Sequence, residues 1–203
     1  MRFLIYGLLV KEIQLALVSS AMAVHIRSAS ESDLSQIWSI YEYYVLNTVV
    51  SFLIEKPPID YIKSRFEATL ERGLPYLVAQ QNISDSASKI IGYAYASPFR
   101  GFMLGYGHSV EVTIFCHPDH ICQGVGSSLM RELLSLLKQT KHVSKELGYE
   151  DQPREFEIKT VMAIMAVDDQ REDKGLGLRD WYGKWGFSEV GRLKHIGFKT
   201  GRW

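Results

Sequence analysis

Cysteine, net charge and long apolar runs are all scarce in this chain of 203 residues. There are two cysteines, Cys116 and Cys122, and no Cys-x-x-Cys spacing. That argues against a disulfide scaffold, a zinc site and a thioredoxin-like redox pair, and fits a reducing compartment, the cytoplasm. No bound metal is expected. The 23 basic side chains are balanced by 23 acidic ones, so the clustered Lys and Arg that nucleic acids or an anionic membrane would require are missing. A small anion held by main-chain amides stays open, because such a site hardly alters net charge. Within residues 1–23, Lys11 and Glu12 separate Phe3–Val10 from Ile13–Val18, leaving apolar pieces of eight and six residues. Each is too short to span a bilayer. Ala21-Met22-Ala23 has the outline of a secretory cleavage site, but the interrupted apolar core argues against secretion. Residues 1–23 therefore read as an extension outside the fold, and residues 24–203 as one domain.

What is present is enough for a single core. Hydrophobic residues make up 46% of the chain, and a chain of this length buries roughly 70% of its unfolded surface. Val24–Arg27 alternates like a strand, and Ser30, Ser32 and Asp33 follow as helix-start signals. Helical spacing runs from Leu34 to Val45. Pro57 and Pro58 open a second helix that buries Ile59, Ile62, Phe66 and Leu70. Tyr76–Gln80 and Ile90–Ala96 read as an antiparallel hairpin across a polar turn, and Val110–Phe115 as a further strand. An amphipathic helix with Leu129, Leu133, Leu134, Leu136 and Leu137 on one side follows from Gly124. The polar stretch from Lys141 to Glu157 reads as helix end plus loop. Val161–Val167 is a strand covered on both faces, followed by a helix near Leu176–Lys184 and a strand near Glu189–Leu193. This order gives an α/β layer architecture in which helices cover a mixed sheet.

The chemistry gathers between Phe115 and Ser127. A strand, a turn bearing Gly124-x-Gly126 and a helix start offer free N–H groups at the positive end of a helix dipole. A tight strand-to-helix turn with no ligand would carry the same pattern. The loop has no Lys-Ser or Lys-Thr of a P-loop, nor the third glycine and acidic residue of a dinucleotide fingerprint.

What remains resembles the pyrophosphate loop of the GNAT superfamily of acetyl-CoA-dependent N-acetyltransferases. The stretches Arg72-Gly73-Leu74-Pro75-Tyr76-Leu77-Val78-Ala79, Gly92-Tyr93-Ala94-Tyr95-Ala96, Pro98-Phe99-Arg100, His117-Pro118-Asp119-His120, Gly197-Phe198-Lys199 and Gly201-Arg202-Trp203 resemble the phosphinothricin acetyltransferase group. The resemblance covers roughly residues 24 to 203 and implies a mixed, mostly antiparallel sheet flanked by helices. In that superfamily, pantetheine runs between two splayed strands like an extra strand. The resemblance implies that Ile114, Phe115 and Cys116 bond it through their backbone, while Cys122, Gln123, Gly124, Val125, Gly126 and Ser127 surround the pyrophosphate. Glu111, in His108-Ser109-Val110-Glu111, matches the family's strand glutamate and is the candidate base, direct or through water. Its bland alternative is a carboxylate paired with a cation. Tyr182 resembles the tyrosine of Tyr-x-x-x-Gly-Phe, the proton donor to the coenzyme sulfur, and would otherwise be a core tyrosine. Arg100 is a candidate clamp for a substrate carboxylate, and His108 a backup base near the acceptor. The implied activity is acetyl transfer from acetyl-CoA to the primary amine of a small amino acid or analogue, by direct attack in a ternary complex within a homodimer.

Four departures stand out. Ile121 and Cys122 replace the Arg or Gln and the glycine that usually open the loop. A histidine often takes the place of Tyr182 in the phosphinothricin group. The acidic run from Asp168 to Asp173 replaces a cofactor-contacting asparagine. Relatives also continue past Gly-Arg-Trp into one more strand, which the domain lacks. A rival reading is a coenzyme-binding module without turnover, and a protein-lysine or polyamine acetyltransferase is a third.

Overall fold

The computed structural model describes residues 2–12, 24–84, 87–101, 103–168, 170 and 175–201. Ala21-Met22-Ala23, most of the acidic run after Asp168 and Arg202-Trp203 lie outside the described residues. The described elements are β1 (Arg2–Leu9), β2 (His25–Ser28), α1 (Leu34–Asn47), α2 (Ile59–Glu71), β3 (Tyr76–Ser84), β4 (Ala87–Pro98) and β5 (Ser109–Cys116). They continue with α3 (Val125–Leu137), β6 (Lys141–Glu146), β7 (Tyr149–Glu157), β8 (Thr160–Val167), α4 (Gly177–Gly183) and β9 (Ser188–Lys194). Seven strands form one sheet in the order β2-β3-β4-β5-β8-β1-β9. β5 and β8 run parallel, whereas the other neighbours are antiparallel. The expected mixed, mostly antiparallel sheet is therefore present.

Helical periodicity decides which face each helix covers. Leu129, Met130, Leu133 and Leu134 of α3 recur at three- and four-residue spacing and pack, with Tyr182 of α4, against Ala94, Val110 and Val161. On the opposite face Ile37 and Ile40 of α1 and Ile62 and Phe66 of α2 cover Tyr76, Val78, Tyr93 and Tyr95. Asp33, ahead of α1, accepts from the Ser30 N–H at 2.8 Å and from both terminal nitrogens of Arg27 at 2.7 Å, tying β2 to the helix start.

Two expectations are corrected. Residues 1–23 do not all lie outside the fold, because Arg2–Leu9 pairs with β8 from Arg2↔Val167 to Leu9↔Thr160 and with β9 on its other edge. Leu4, Tyr6 and Leu8 alternate into the core at no more than 2% exposure, while Phe3 on the reverse face packs against Phe52 in a tilted pair with ring centroids 4.5 Å apart. An eight-residue apolar run is the right length for a strand covered on both sides. It closes the space between β8 and β9, where each strand would otherwise expose an edge.

The second correction concerns residues 141–157, which form a two-stranded ribbon instead of helix end plus loop. Its inward positions are polar: His142 and Ser144 are buried, so the period-2 pattern carries no apolar signal. His142 Nδ1 lies 2.8 Å from the Gly107 carbonyl, and the Val143 N–H donates to the Arg72 carbonyl at 2.9 Å. The ribbon thus joins the end of α2 to the turn that precedes β5.

Leu4→Ala and Leu8→Ala are each expected to lower the unfolding free energy by about 2–5 kcal/mol, the cost of truncating a buried leucine. Urea denaturation of the full chain measures this. Losses below about 0.5 kcal/mol, as for a surface substitution, would place β1 outside the cooperative core.

Candidate active site

The site begins where the sheet comes apart. β5 and β8 are paired at Ser109↔Thr160, Val110↔Val161 and Glu111↔Met162. Beyond Glu111 they share no pair, although β5 continues to Cys116 and β8 to Val167. The register decides which main-chain groups face the gap. The Phe99 N–H donates to the Ser109 carbonyl and the His117 N–H to the Ile91 carbonyl. By two-residue alternation the odd positions of β5 bond β4, and Val112, Ile114 and Cys116 turn their backbone toward the opening. Val112, Ile114 and Cys116 thus face it, whereas Phe115 directs its backbone to Tyr93 of β4. The Cys116 carbonyl already accepts from the Tyr44 hydroxyl at 2.7 Å.

At the end of β5 the chain turns into α3. Gly124 is the N-cap, with φ of 84°, and it provides no side-chain cap; the first turn of α3 contains no acidic residue. The amides of this turn therefore present an uncompensated positive helix end, which suits a phosphate. Gly92 of β4 lets α3 approach the sheet, since a Cβ there would stand 2.9 Å from Val125 Cγ1. The Val125 side chain is buried, so this residue anchors the loop while its amide stays with the helix start. Ser127 Oγ accepts from the Trp181 indole at 3.2 Å, joining α3 to α4. Gln123 donates to the Asp119 carbonyl at 3.0 Å. Cys122 adopts φ of 60°, a left-handed conformation that costs a residue with a Cβ roughly 1–2 kcal/mol. Glycine would adopt this conformation without that cost.

Glu111 shares a sheet face with Tyr93, Tyr95 and Phe115. Burial pushes its pKa up from the ordinary 4.5, and the nearby Arg65 charge pulls the other way. A base poised closer to neutrality suits proton removal from an amine. Tyr182 of α4 belongs to the core on the opposite face of the sheet. It is buried, stacks on Tyr6 with centroids 5.7 Å apart, and has its pKa raised by burial first and then by the charges of Glu111 and Tyr6. Its phenol stays protonated at neutral pH. Burial also pushes the Cys116 thiol up to about 11, which removes it as a nucleophile at neutral pH.

The two sequence-derived acceptor contacts lie on the connection between β4 and β5. Arg100 is exposed in the turn after β4 with φ of 58°. His108 is also exposed, with Nδ1 2.7 Å from the Glu157 carbonyl and its ring edge-on to Phe156. It serves the base of the ribbon. A cation that sequence reasoning passed over is close to Glu111: Arg65 on α2 donates from Nη1 to Tyr95 Oη at 3.1 Å and lies over the Tyr61 ring at 4.7 Å. Its signal was a basic residue beside the apolar stripe of Ile62 and Phe66, three residues beyond Ile62.

Residues 37–156 match the Acetyltransferase (GNAT) family. A phosphinothricin N-acetyltransferase of Alcaligenes faecalis is 34% identical over 89% of this chain and 78% of its own length. An L-methionine sulfoximine/L-methionine sulfone acetyltransferase of Pseudomonas paraeruginosa is 28% identical over 90% of both chains. The crystal structure of a phosphinothricin acetyltransferase from Sinorhizobium meliloti in complex with acetyl-CoA superposes with a TM-score of 0.66, at 29% identity, covering 90% of this chain and 84% of that one.

Cys122→Gly is expected to raise the unfolding free energy by about 0.5–1 kcal/mol, because relief of the left-handed strain exceeds the entropy cost of glycine. Urea denaturation reads this directly, and a loss of stability would show that the loop conformation is not strained.

Proposed function

The chain belongs to the GNAT family and is an acetyl-CoA-dependent N-acetyltransferase, and from this premise we propose that its acceptor is a small amino acid or amino-acid analogue of the phosphinothricin or methionine-sulfoximine type. The observation that carries the reading is the opening between β5 and β8, with Glu111 on one side of it and Tyr182 on the other. Pantetheine occupies the gap, and the uncapped start of α3 receives the pyrophosphate. Glu111 takes a proton from the ammonium group of the acceptor, directly or through water. The neutral amine attacks the acetyl carbonyl carbon, the C–N bond forms and the C–S bond breaks. The Tyr182 phenol protonates the departing thiolate, and the proton that the attacking nitrogen sheds as the amide forms restores the phenol. The protonated thiol of Cys116 supports direct transfer in a ternary complex over an acyl-cysteine intermediate.

The reading includes a cytoplasmic homodimer. Two free cysteines accord with a reducing compartment. Exposed Leu46, Val50, Phe52, Ile54 and Phe198 offer an apolar surface for a second subunit. One observation favours the rival reading of a coenzyme-binding module: Cys122 and the exposed Ile121 stand where the family places a less strained and more polar loop opening.

Thiol release from acetyl-CoA with methionine sulfoximine and a panel of other amines tests the proposal. Because burial raises the Glu111 pKa, kcat/KM for the wild type should climb with pH through that raised value and then level off. Glu111→Gln should lower kcat by about 10²–10⁴-fold, abolish that limb and leave acetyl-CoA binding intact. Coenzyme binding with no release on any amine establishes the module instead.

A further inference from the structure

We infer that Arg65 recognises the carboxylate of the acceptor, so that Glu111 and Arg65 together select a zwitterion; this inference rests on the acetyl transfer proposed above. Arg65 is an exposed cation on α2. Among the described residues no carboxylate stands within ion-pair distance of it. Two tyrosines hold it instead: its guanidinium lies over the Tyr61 ring at 4.7 Å, and Nη1 donates to Tyr95 Oη at 3.1 Å. Tyr61 is itself steadied by Tyr41, whose ring stacks on it with centroids 5.7 Å apart. These contacts fix the fork of N–H donors while committing a single one of them.

The sheet register places this fork beside the base. Tyr95 pairs with Thr113 and Ser97 with Glu111, so Tyr95 and Glu111 are diagonal neighbours on one face, about 7–8 Å apart. Two opposite charges thus lie over one sheet face without forming an ion pair. A purely structural arginine here would gain most by pairing with Glu111, which would then have a lowered pKa; the Glu111 pKa is raised. An α-amino acid complements both groups at once. Its ammonium faces the carboxylate that must deprotonate it, and its carboxylate takes the free guanidinium donors bidentately. Arg100 shows no comparable setting, since among the described residues no hydrogen bond or ring contact holds its side chain in the turn after β4.

The test uses the full chain with methionine sulfoximine and its carboxamide, which retains the amine and removes the negative charge. The wild type should prefer the acid by about 100-fold in kcat/KM, the worth of a charge-assisted bidentate contact. Arg65→Met should lower kcat/KM for the acid by about the same factor, mainly through KM. The carboxamide and acetyl-CoA binding should be little affected. Arg65→Lys keeps the charge but loses the fork and should fall between the two. Equal losses on acid and amide, no preference in the wild type, or a carboxylate-specific loss in Arg100→Met but not in Arg65→Met would each overturn the assignment. If no amine releases thiol, the proposed transfer fails separately. Calorimetric titration of the same acid and amide into the coenzyme-saturated protein then decides: tighter binding of the acid that disappears in Arg65→Met upholds the role of Arg65, and equal binding overturns it.

Discussion

A main-chain amide that loses its ladder partner has to find another, and that constraint organises this molecule. β5 leaves β8 after Glu111, yet both strands continue side by side without pairing. The gap cannot close by a simple shift of β8, because β1 holds β8 along eight successive pairs. The strand formed by residues 2–9 therefore keeps the opening apart while completing the sheet. An extended ligand with amide groups satisfies the free edge of β5 as a strand would.

Other features of the site follow from this geometry. Alternation along β5 sends Glu111 toward α1 and α2, whereas Val110 and Val112 enter the core beneath α3. Glu111 and Tyr182 consequently lie on opposite faces of the sheet, and in the proposed reaction the first is the base and the second the proton donor. Burial acts in one direction on all three nearby acids. It keeps Tyr182 and Cys116 protonated and moves Glu111 toward neutrality. Arg65 is held by tyrosines and so leaves the Glu111 carboxylate free.

Much of this was legible from local signals. The strand, glycine turn and helix between Phe115 and Leu137 were readable because turn chemistry and helical periodicity are encoded within a few residues of where they act. Glu111 and Tyr182 came from short motifs in register with those elements. β1 was misread because an eight-residue apolar run has no period to distinguish a buried strand from an appended segment, and its partners lie more than 150 residues away. The ribbon of β6 and β7 was missed because His142 and Ser144 occupy its buried positions. Arg65 was passed over because its setting depends on Tyr95, 30 residues away on another element. Such pairings follow from tertiary packing and not from spacing along the chain.

The central claim is that the free edge of β5 and the start of α3 together hold acetyl-CoA. Amide hydrogen exchange at single-residue resolution, with and without acetyl-CoA, tests it most directly. The account predicts that the coenzyme slows exchange at Ile114 and Cys116 and across Gly124–Ser127, while Thr113 and Phe115, already bonded to β4, change little. Protection elsewhere, with these amides unaffected, would contradict it.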